Sequence, residues 1–339
     1  MNDTPKKTPH FHIMVDMSKA PTGTVIGMDL GGTKLAAALF SMEGIIIHRT
    51  DVQLEGKEGP RVGALIIQKL QELLSFASER DHDICSVGIC VPGISNQHKR
   101  TVWAPNIPGW ESYPLHKEME EALEEADIPV AIESDRNCYI LGEMWKGNAS
   151  TCKNAVFIAV GTGIGIGIVS NGHIINGLSG IAGAIGWMAL DRPYKEEYDP
   201  CGQFEYHASG TGIARCAEQM LARGAQSEFL KEGPLTAREV FEAYAQQDPV
   251  AIQVLDQSIE YWGMAVANLV SLLNPEKIIF GGGVFGPAVM FLDRIYKEAS
   301  KWAQPISIQE VKLESSALKG DTGLYGAGYL ALKNKFIIT

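Results

Sequence analysis

None of the six cysteines (Cys85, Cys90, Cys138, Cys152, Cys201 and Cys216) is spaced Cys-x-x-Cys from another. That excludes the common zinc-ribbon and thioredoxin-type spacings, and the thiols are expected to be reduced, in a reducing compartment such as the cytoplasm. Lys and Arg never gather into a run, and they number 29 against 40 Asp and Glu, giving a net charge of -11. An acidic chain of this kind repels polyanions, so nucleic acid is not an expected partner. No segment approaches the roughly 18 uninterrupted apolar residues of a membrane span. The early apolar stretch Phe11 to Val15 is short and broken by His12, which excludes a secretory signal. The pattern G-x-x-x-x-G-K-[ST] is also missing, so a Walker A loop is ruled out.

What is present is an ordinary globular balance over 339 residues, with 45% hydrophobic and 20% charged. That length suits two domains. Met1 to Thr22 reads as a tail. Thr24 to Asp29, Leu35 to Ser41 and Ile45 to Thr50 read as strands joined by glycine turns. Arg61 to Glu79 has helical spacing, with Val62, Leu65, Ile66, Leu70, Leu73 and Leu74 on one face. Ser86 to Val91 and Pro129 to Glu133 are further buried strands. Leu115 to Ala126 is an acidic amphipathic helix, and a helix is expected from Asp135 to about Trp145. A second unit repeats the plan. Ala155 to Val160, Ile164 to Ser170 and His173 to Asn176 read as strands. A long irregular stretch to Gly202 follows, and then helices. Thr236 and Glu239 make a capping box, Ile259 to Leu273 is apolar almost all round, Lys277 to Phe280 is a strand, and Leu324 to Lys335 is a last helix. Trp262 and Trp302 read as core or interface, Trp110 as structural, and His173 as solvent-facing.

Three glycine turns each follow a strand: Asp29-Leu30-Gly31-Gly32-Thr33-Lys34, Gly161-Thr162-Gly163-Ile164-Gly165 and Gly281-Gly282-Gly283. Glycine lets the backbone approach a ligand closely, and successive amides there can cradle phosphate oxygens. Asp135 stands after a strand and before a helix, where ligands meet α/β folds. It could be a helix cap or a base that accepts the proton of an attacking hydroxyl.

Taken in order, Asp29 to Lys34, Val91-Pro92-Gly93, Asn106-Ile107-Pro108-Gly109-Trp110, Asp135 with Asn137, Gly161 to Gly165, Glu205 with Ser209-Gly210, and Asn274-Pro275 through Gly283 resemble the motifs of the ROK family. The resemblance runs from about residue 24 to 335. It implies an α/β, two-domain actin-like ATPase (ribonuclease H-like) fold with the active site in a cleft between the domains. Residues 23–135 with 320–339 would make a small domain and 136–319 a large one. It further implies an ATP- and Mg²⁺-dependent kinase, working as a homodimer, that phosphorylates a hydroxyl of a sugar or polyol. Asp135 would be the base. Asp29, Gly31, Gly32, Thr33 and Lys34 would form a first phosphate loop, with Asp29 near Mg²⁺ through water. Gly161, Thr162 and Gly163 would form a second loop, and Gly281, Gly282 and Gly283 would lie at the adenosine side. Gly93, Asn106, Ser134, Ala184, Trp187 and Glu205 would line the sugar site with Asp135.

The chain also departs from the family pattern. Many ROK proteins bind zinc through E-x-G-H and C-x-C-G-x-x-G-C-x-E. Here Trp187 takes the His place, and Glu196, Tyr198 and Gln203 take the three Cys places, so no structural zinc is expected. The loop from Asp191 to Gly202 must then be held by packing of Tyr194, Tyr198 and Phe204. Ala184 replaces a Glu and Trp187 a His that contact the sugar near its anomeric end in family kinases. Ser134 stands where an Asn is common. An acceptor altered at that end is therefore expected: a substituted sugar, an amino sugar or a cyclitol. Two other readings compete with the kinase. A sugar-responsive repressor would need a helix-turn-helix domain, and only 23 residues precede Thr24. A catalytically weak binding or regulatory protein of the same fold is the nearer alternative.

Overall fold

The computed structural model describes residues 23–336; the stretch read as a tail, Met1 to Thr22, lies outside them. Two five-stranded sheets follow one plan. In the first, β1 (Thr24–Leu30), β2 (Lys34–Ser41) and β3 (Ile46–Gln53) form an antiparallel meander. After α1 (Pro60–Ser78), β4 (Ile84–Val91) pairs with β1 in parallel. A small ribbon of β5 (Ile94–Asn96) and β6 (Thr101–Trp103) and then α2 (Leu115–Leu123) lead to β7 (Val130–Ser134), parallel to β4. The order is β3-β2-β1-β4-β7.

Helix α3 (Asp135–Lys146) leads to the second meander, β8 (Ala155–Val160), β9 (Ile164–Ser170) and β10 (His173–Ile174). The helices α4 (Gln203–Ala208), α5 (Gly210–Ala222), α6 (Ala237–Ala245) and α7 (Pro249–Leu273) precede β11 (Lys277–Gly281), which is parallel to β8. Then come α8 (Leu292–Ala299), α9 (Ser307–Glu310), β12 (Lys312–Ser315), parallel to β11, and α10 (Thr322–Phe336). The repeated strand, glycine turn and strand thus mark two sheets of matching topology.

The alternation of side chains along β1 decides what each face meets. Ile26, Met28 and Leu30 join Val62, Ile66 and Leu70 of α1 in one core, each burial contributing roughly 1.5–3 kcal/mol. Val25, on the opposite face, packs with Leu324, Ala331 and Leu332 of α10. Gly27 shares that face, and a Cβ there would stand 2.7 Å from the Gly328 nitrogen. A Cβ on Gly88 of β4 would overlap the Ala327 carbonyl, and one on Gly142 of α3 the Thr322 carbonyl. Small residues therefore let α10 lie unusually close to β1, β4 and α3. Helix α3 in turn packs on β8 and β9, so α3 and α10 stand between the sheets.

Several local expectations change in the structure. The third strand runs on to Gln53, β10 stops at Ile174, and the last turn of the acidic helix, Glu124–Ala126, is 3-10. The capping box of Thr236 and Glu239 is formed at α6. Helix α7 starts at Pro249, with the Asp248 carboxylate accepting from the Val250 and Ala251 amides, and its end is not buried all round, since Leu272 is exposed. Trp262 and Trp110 are fully buried, but Trp302 is exposed and is no part of the core. All six cysteines are free, and four are buried.

Candidate active site

The strand ends of both sheets open onto one cleft of about 1310 Å³. Its wall carries Asp29, Gly31, Gly32 and Lys34 from the β1–β2 turn, Gly93 and Asn106, and Asp135 at the start of α3. From the second half come Gly161, Thr162 and Gly163, Ala184 and Trp187, Glu205, and Gly281, Gly282 and Gly283. Two of the residues read from the sequence, Thr33 and Ser134, do not reach this wall. Thr33 is exposed, and its carbonyl accepts from the Leu54 amide. Ser134 is buried, and its hydroxyl has no hydrogen-bond partner among the described residues. An unsatisfied buried hydroxyl is destabilising by about 1–3 kcal/mol. Ser134→Ala is therefore expected to raise the thermal midpoint. A higher acceptor KM in the same variant would show instead that a ligand uses the hydroxyl.

Three carboxylates face the cleft, and burial pushes each above its ordinary range. Asp29 ends the face of β1 that looks to α10, and a Cβ on Gly323 would meet its Oδ2 at 2.5 Å. Burial raises its carboxyl; the Cys90 thiol and Lys34 oppose that, while Asp321 adds to it. Asp135 keeps part of its surface open to the cleft. The protein atoms crowded around it still push its carboxyl up to about 6, against the opposing pull of the Arg136 charge and amide. That amide donates to Asp135 Oδ1 at 2.8 Å. Glu205 accepts from the Ile164 amide at 2.6 Å. Burial raises its carboxyl, with that amide and Arg215 opposing.

The glycines of the three turns do different things. Gly281 is required by packing, because a Cβ would overlap the Phe157 ring, and Gly282 by a φ of +87°. Gly161 and Gly283 are another matter: neither has a left-handed φ, and a Cβ on either would meet nothing within 4 Å. At Gly31 and Gly32 a Cβ would find only ordinary contacts, the nearest being 3.5 Å and 3.8 Å away. The fold itself does not require glycine at these four positions. All four line the cleft, and the space they leave is space for what enters it.

Asn106 is held by a loop built around Trp110, whose Nε1 donates to the Gly59 carbonyl at 3.0 Å while its ring stacks on Tyr113. Trp187 is 59% exposed and on the cleft wall. Tyr198 and Gln203, at two of the family's cysteine places, belong to a polar aromatic cluster. Tyr198 donates to or accepts from His207 Nε2 at 3.1 Å, and His207 stacks on Tyr261 at 5.1 Å. Gln203 donates to the Tyr261 hydroxyl at 3.1 Å and accepts from the Leu190 amide at 3.0 Å. Tyr198 and Phe204 are buried as expected, but Tyr194 is exposed and bonds only Asp199 on the surface. Among the described residues no group of three His, Cys, Asp or Glu side chains is placed to hold a metal.

Some wall residues were not among those read from the sequence. Trp103, Ile181, Arg136 and Tyr139 belong to them, as do Lys319, Gly320 and Thr322 just before and at the start of α10. The Lys319-Gly320 step before a helix could have flagged the last group; nothing marked the others.

The ROK family model matches residues 25–334. A glucokinase of Halalkalibacterium halodurans is 35% identical, the match covering 90% of this chain and 94% of that protein. A xylose repressor of Bacillus spizizenii is 25% identical, over 92% of this chain and 78% of the repressor. The crystal structure of a ROK family glucokinase from Streptomyces griseus, in complex with glucose and AMPPNP, superposes with a TM-score of 0.67 at 28% identity, covering 92% of this chain and 100% of that one. The fold is the two-domain actin-like ATPase fold of these kinases.

Proposed function

The chain belongs to the ROK family, and from that premise we propose that it transfers the terminal phosphoryl group of ATP to a hydroxyl of a sugar or sugar-like polyol. The observation that carries this reading is the placement of Asp135, its carboxyl pushed up to about 6, in one cleft with glycines at 31, 32, 161 and 283 that the fold does not itself require. A carboxyl of that range can take up the proton of an attacking hydroxyl near neutral pH. Phosphoryl transfer otherwise needs positioning and charge neutralisation. Lys34 and Lys319 supply cationic groups on the wall, and Asn106 and Glu205 supply polar groups for acceptor hydroxyls. The small domain takes 23–135 with 320–336 and the large one 136–319, and their approach excludes water.

Mg²⁺ fits this donor set. Asp29 offers a hard carboxylate oxygen on the cleft wall against Gly323, where a side chain would close the space. It would hold the ion together with substrate phosphates and water, as this metal prefers. When bound, Mg²⁺ supplies charge neutralisation at the phosphates.

The likeness to a xylose repressor favours a second reading, a regulatory protein that binds sugar or nucleotide without turnover. The full chain should be mixed with ATP, Mg²⁺ and a panel of sugars, amino sugars and cyclitols, with ADP and the phosphorylated product both measured. Turnover on one acceptor class is expected. Nucleotide binding with no turnover anywhere would favour the regulator.

A further inference from the structure

We infer that the acceptor is a glycoside, in which the sugar being phosphorylated carries a second ring with an apolar face. The inference rests on the kinase reading for the word acceptor, but the geometry behind it is a separate set of residues. Trp103, Ile181 and Trp187 are 45%, 47% and 59% exposed, and all three lie on the cleft wall. Single exposed apolar side chains need no explanation. Three on the wall of one cleft, from β6 and from the loop that follows β10, mark a binding surface.

Each is tied to the acceptor end of the cleft. Trp103 closes β6, three residues before Asn106. Trp187 follows Gly186, where a Cβ would stand 2.9 Å from Glu205. Ile181 precedes Trp187 in the same loop, and Ala184 between those two adds only a methyl group to the wall. Beyond Asn106 and Glu205 this collar therefore offers indole and alkyl surface to the ligand. A single sugar ring seated at Asn106 and Glu205 would leave this apolar surface in water. A sugar or aromatic ring joined through the glycosidic bond presents a C–H or π face, which suits indole.

The collar is held open by its own backbone. The Ala182 amide donates to the Asn176 carbonyl at 3.1 Å, and the Ile166 amide to the Gly183 carbonyl at 2.9 Å. Asn137 of α3 donates to the Asn176 side chain at 2.6 Å. A Cβ on Gly180 would rest 3.4 Å from the Ser95 carbonyl of β5, so the loop is seated beside the ribbon that carries Trp103. Three apolar side chains are thus kept in contact with water by a fixed frame, as a preorganised site requires.

The test compares free glucose with methyl glucoside, phenyl glucoside and cellobiose in wild-type protein and in the Trp103→Ala and Trp187→Ala variants. Both kcat/KM for phosphorylation and binding by calorimetry are read. Methyl glucoside controls for blocking the anomeric hydroxyl, while the phenyl and disaccharide arms distinguish an aromatic ring from a second sugar ring. At least one two-ring compound is expected to exceed glucose and methyl glucoside by about ten-fold in kcat/KM and in affinity, the scale of one stacking contact. That ratio should shrink towards one in each Trp variant. Equal or tighter binding of free glucose, or a ratio unmoved by both variants, overturns the inference even if phosphorylation is fast. A second copy of the chain covering the collar also overturns it, seen as loss of dimer in sedimentation of the variants with the ratio unchanged. Preferred, Trp-dependent binding of a two-ring compound without turnover upholds the ligand class and sinks the kinase reading instead.

Discussion

Asp135→Asn is expected to bind ATP as the parent does and to lose phosphoryl transfer by on the order of 10²–10⁴-fold, the usual contribution of a positioned general base. The amide matches the carboxylate in size and its oxygen still accepts from the Arg136 amide, but it cannot take up a proton. The parent should show kcat/KM rising with pH through about 6, because the carboxyl must be ionised to act and burial holds it protonated below that. Stability should move the other way. The carboxyl titrates near 3.8 in the unfolded chain and near 6 in the folded one, so between those values the folded state binds more protons and loses stability as pH rises. Two pKa units correspond to about 3 kcal/mol, and the solvent reaching Asp135 from the cleft reduces this to about 1–2 kcal/mol. The Asn variant should therefore melt above the parent at pH 7.5, and the difference should vanish below pH ~4. A variant that keeps its activity, or that melts lower at pH 7.5, would remove Asp135 from this role.

Much of this site was legible because its parts sit where apolar strands stop. Asp29, Gly161 and Gly281 each lie at or just past the end of a run of buried β residues, and a short continuous apolar run followed by glycine is visible in a single sequence. The packing of α10 was not. Its helix was readable, but the surfaces that meet β1, β4 and α3 mix Leu324 and Leu332 with Gly323, Gly326, Ala327 and Gly328, which leaves too little hydrophobic contrast to show a stripe. The aromatic cluster around the replaced zinc ligands was half legible. Tyr198 and Phe204 followed from the missing ligands, whereas Tyr261 comes from the middle of α7 and meets His207 only in the folded chain. Trp103, Ile181 and Lys319 were missed because exposed side chains on short ribbons and loops obey no period.

The four cleft glycines that the fold does not require can be separated from the packing glycines by experiment. A Cβ on Gly161 would meet nothing within 4 Å, so Gly161→Ala should leave the thermal midpoint of the free protein unchanged. If that space receives a nucleotide phosphate, the added methyl group displaces it. A misplacement of about 1 Å suffices for a loss on the order of 100-fold in kcat/KM for ATP. Gly326→Ala makes the opposite case. Its Cβ would overlap the Cys138 carbonyl at the crossing of α3 and α10, and overpacking of that kind is destabilising by about 1–3 kcal/mol. The two variants should thus divide, one losing nucleotide at full stability and the other losing stability first. Differential scanning calorimetry with nucleotide titration reads both. Should Gly161→Ala melt early while the folded fraction still binds ATP normally, Gly161 would serve the turn alone, and the second phosphate loop would lose its support.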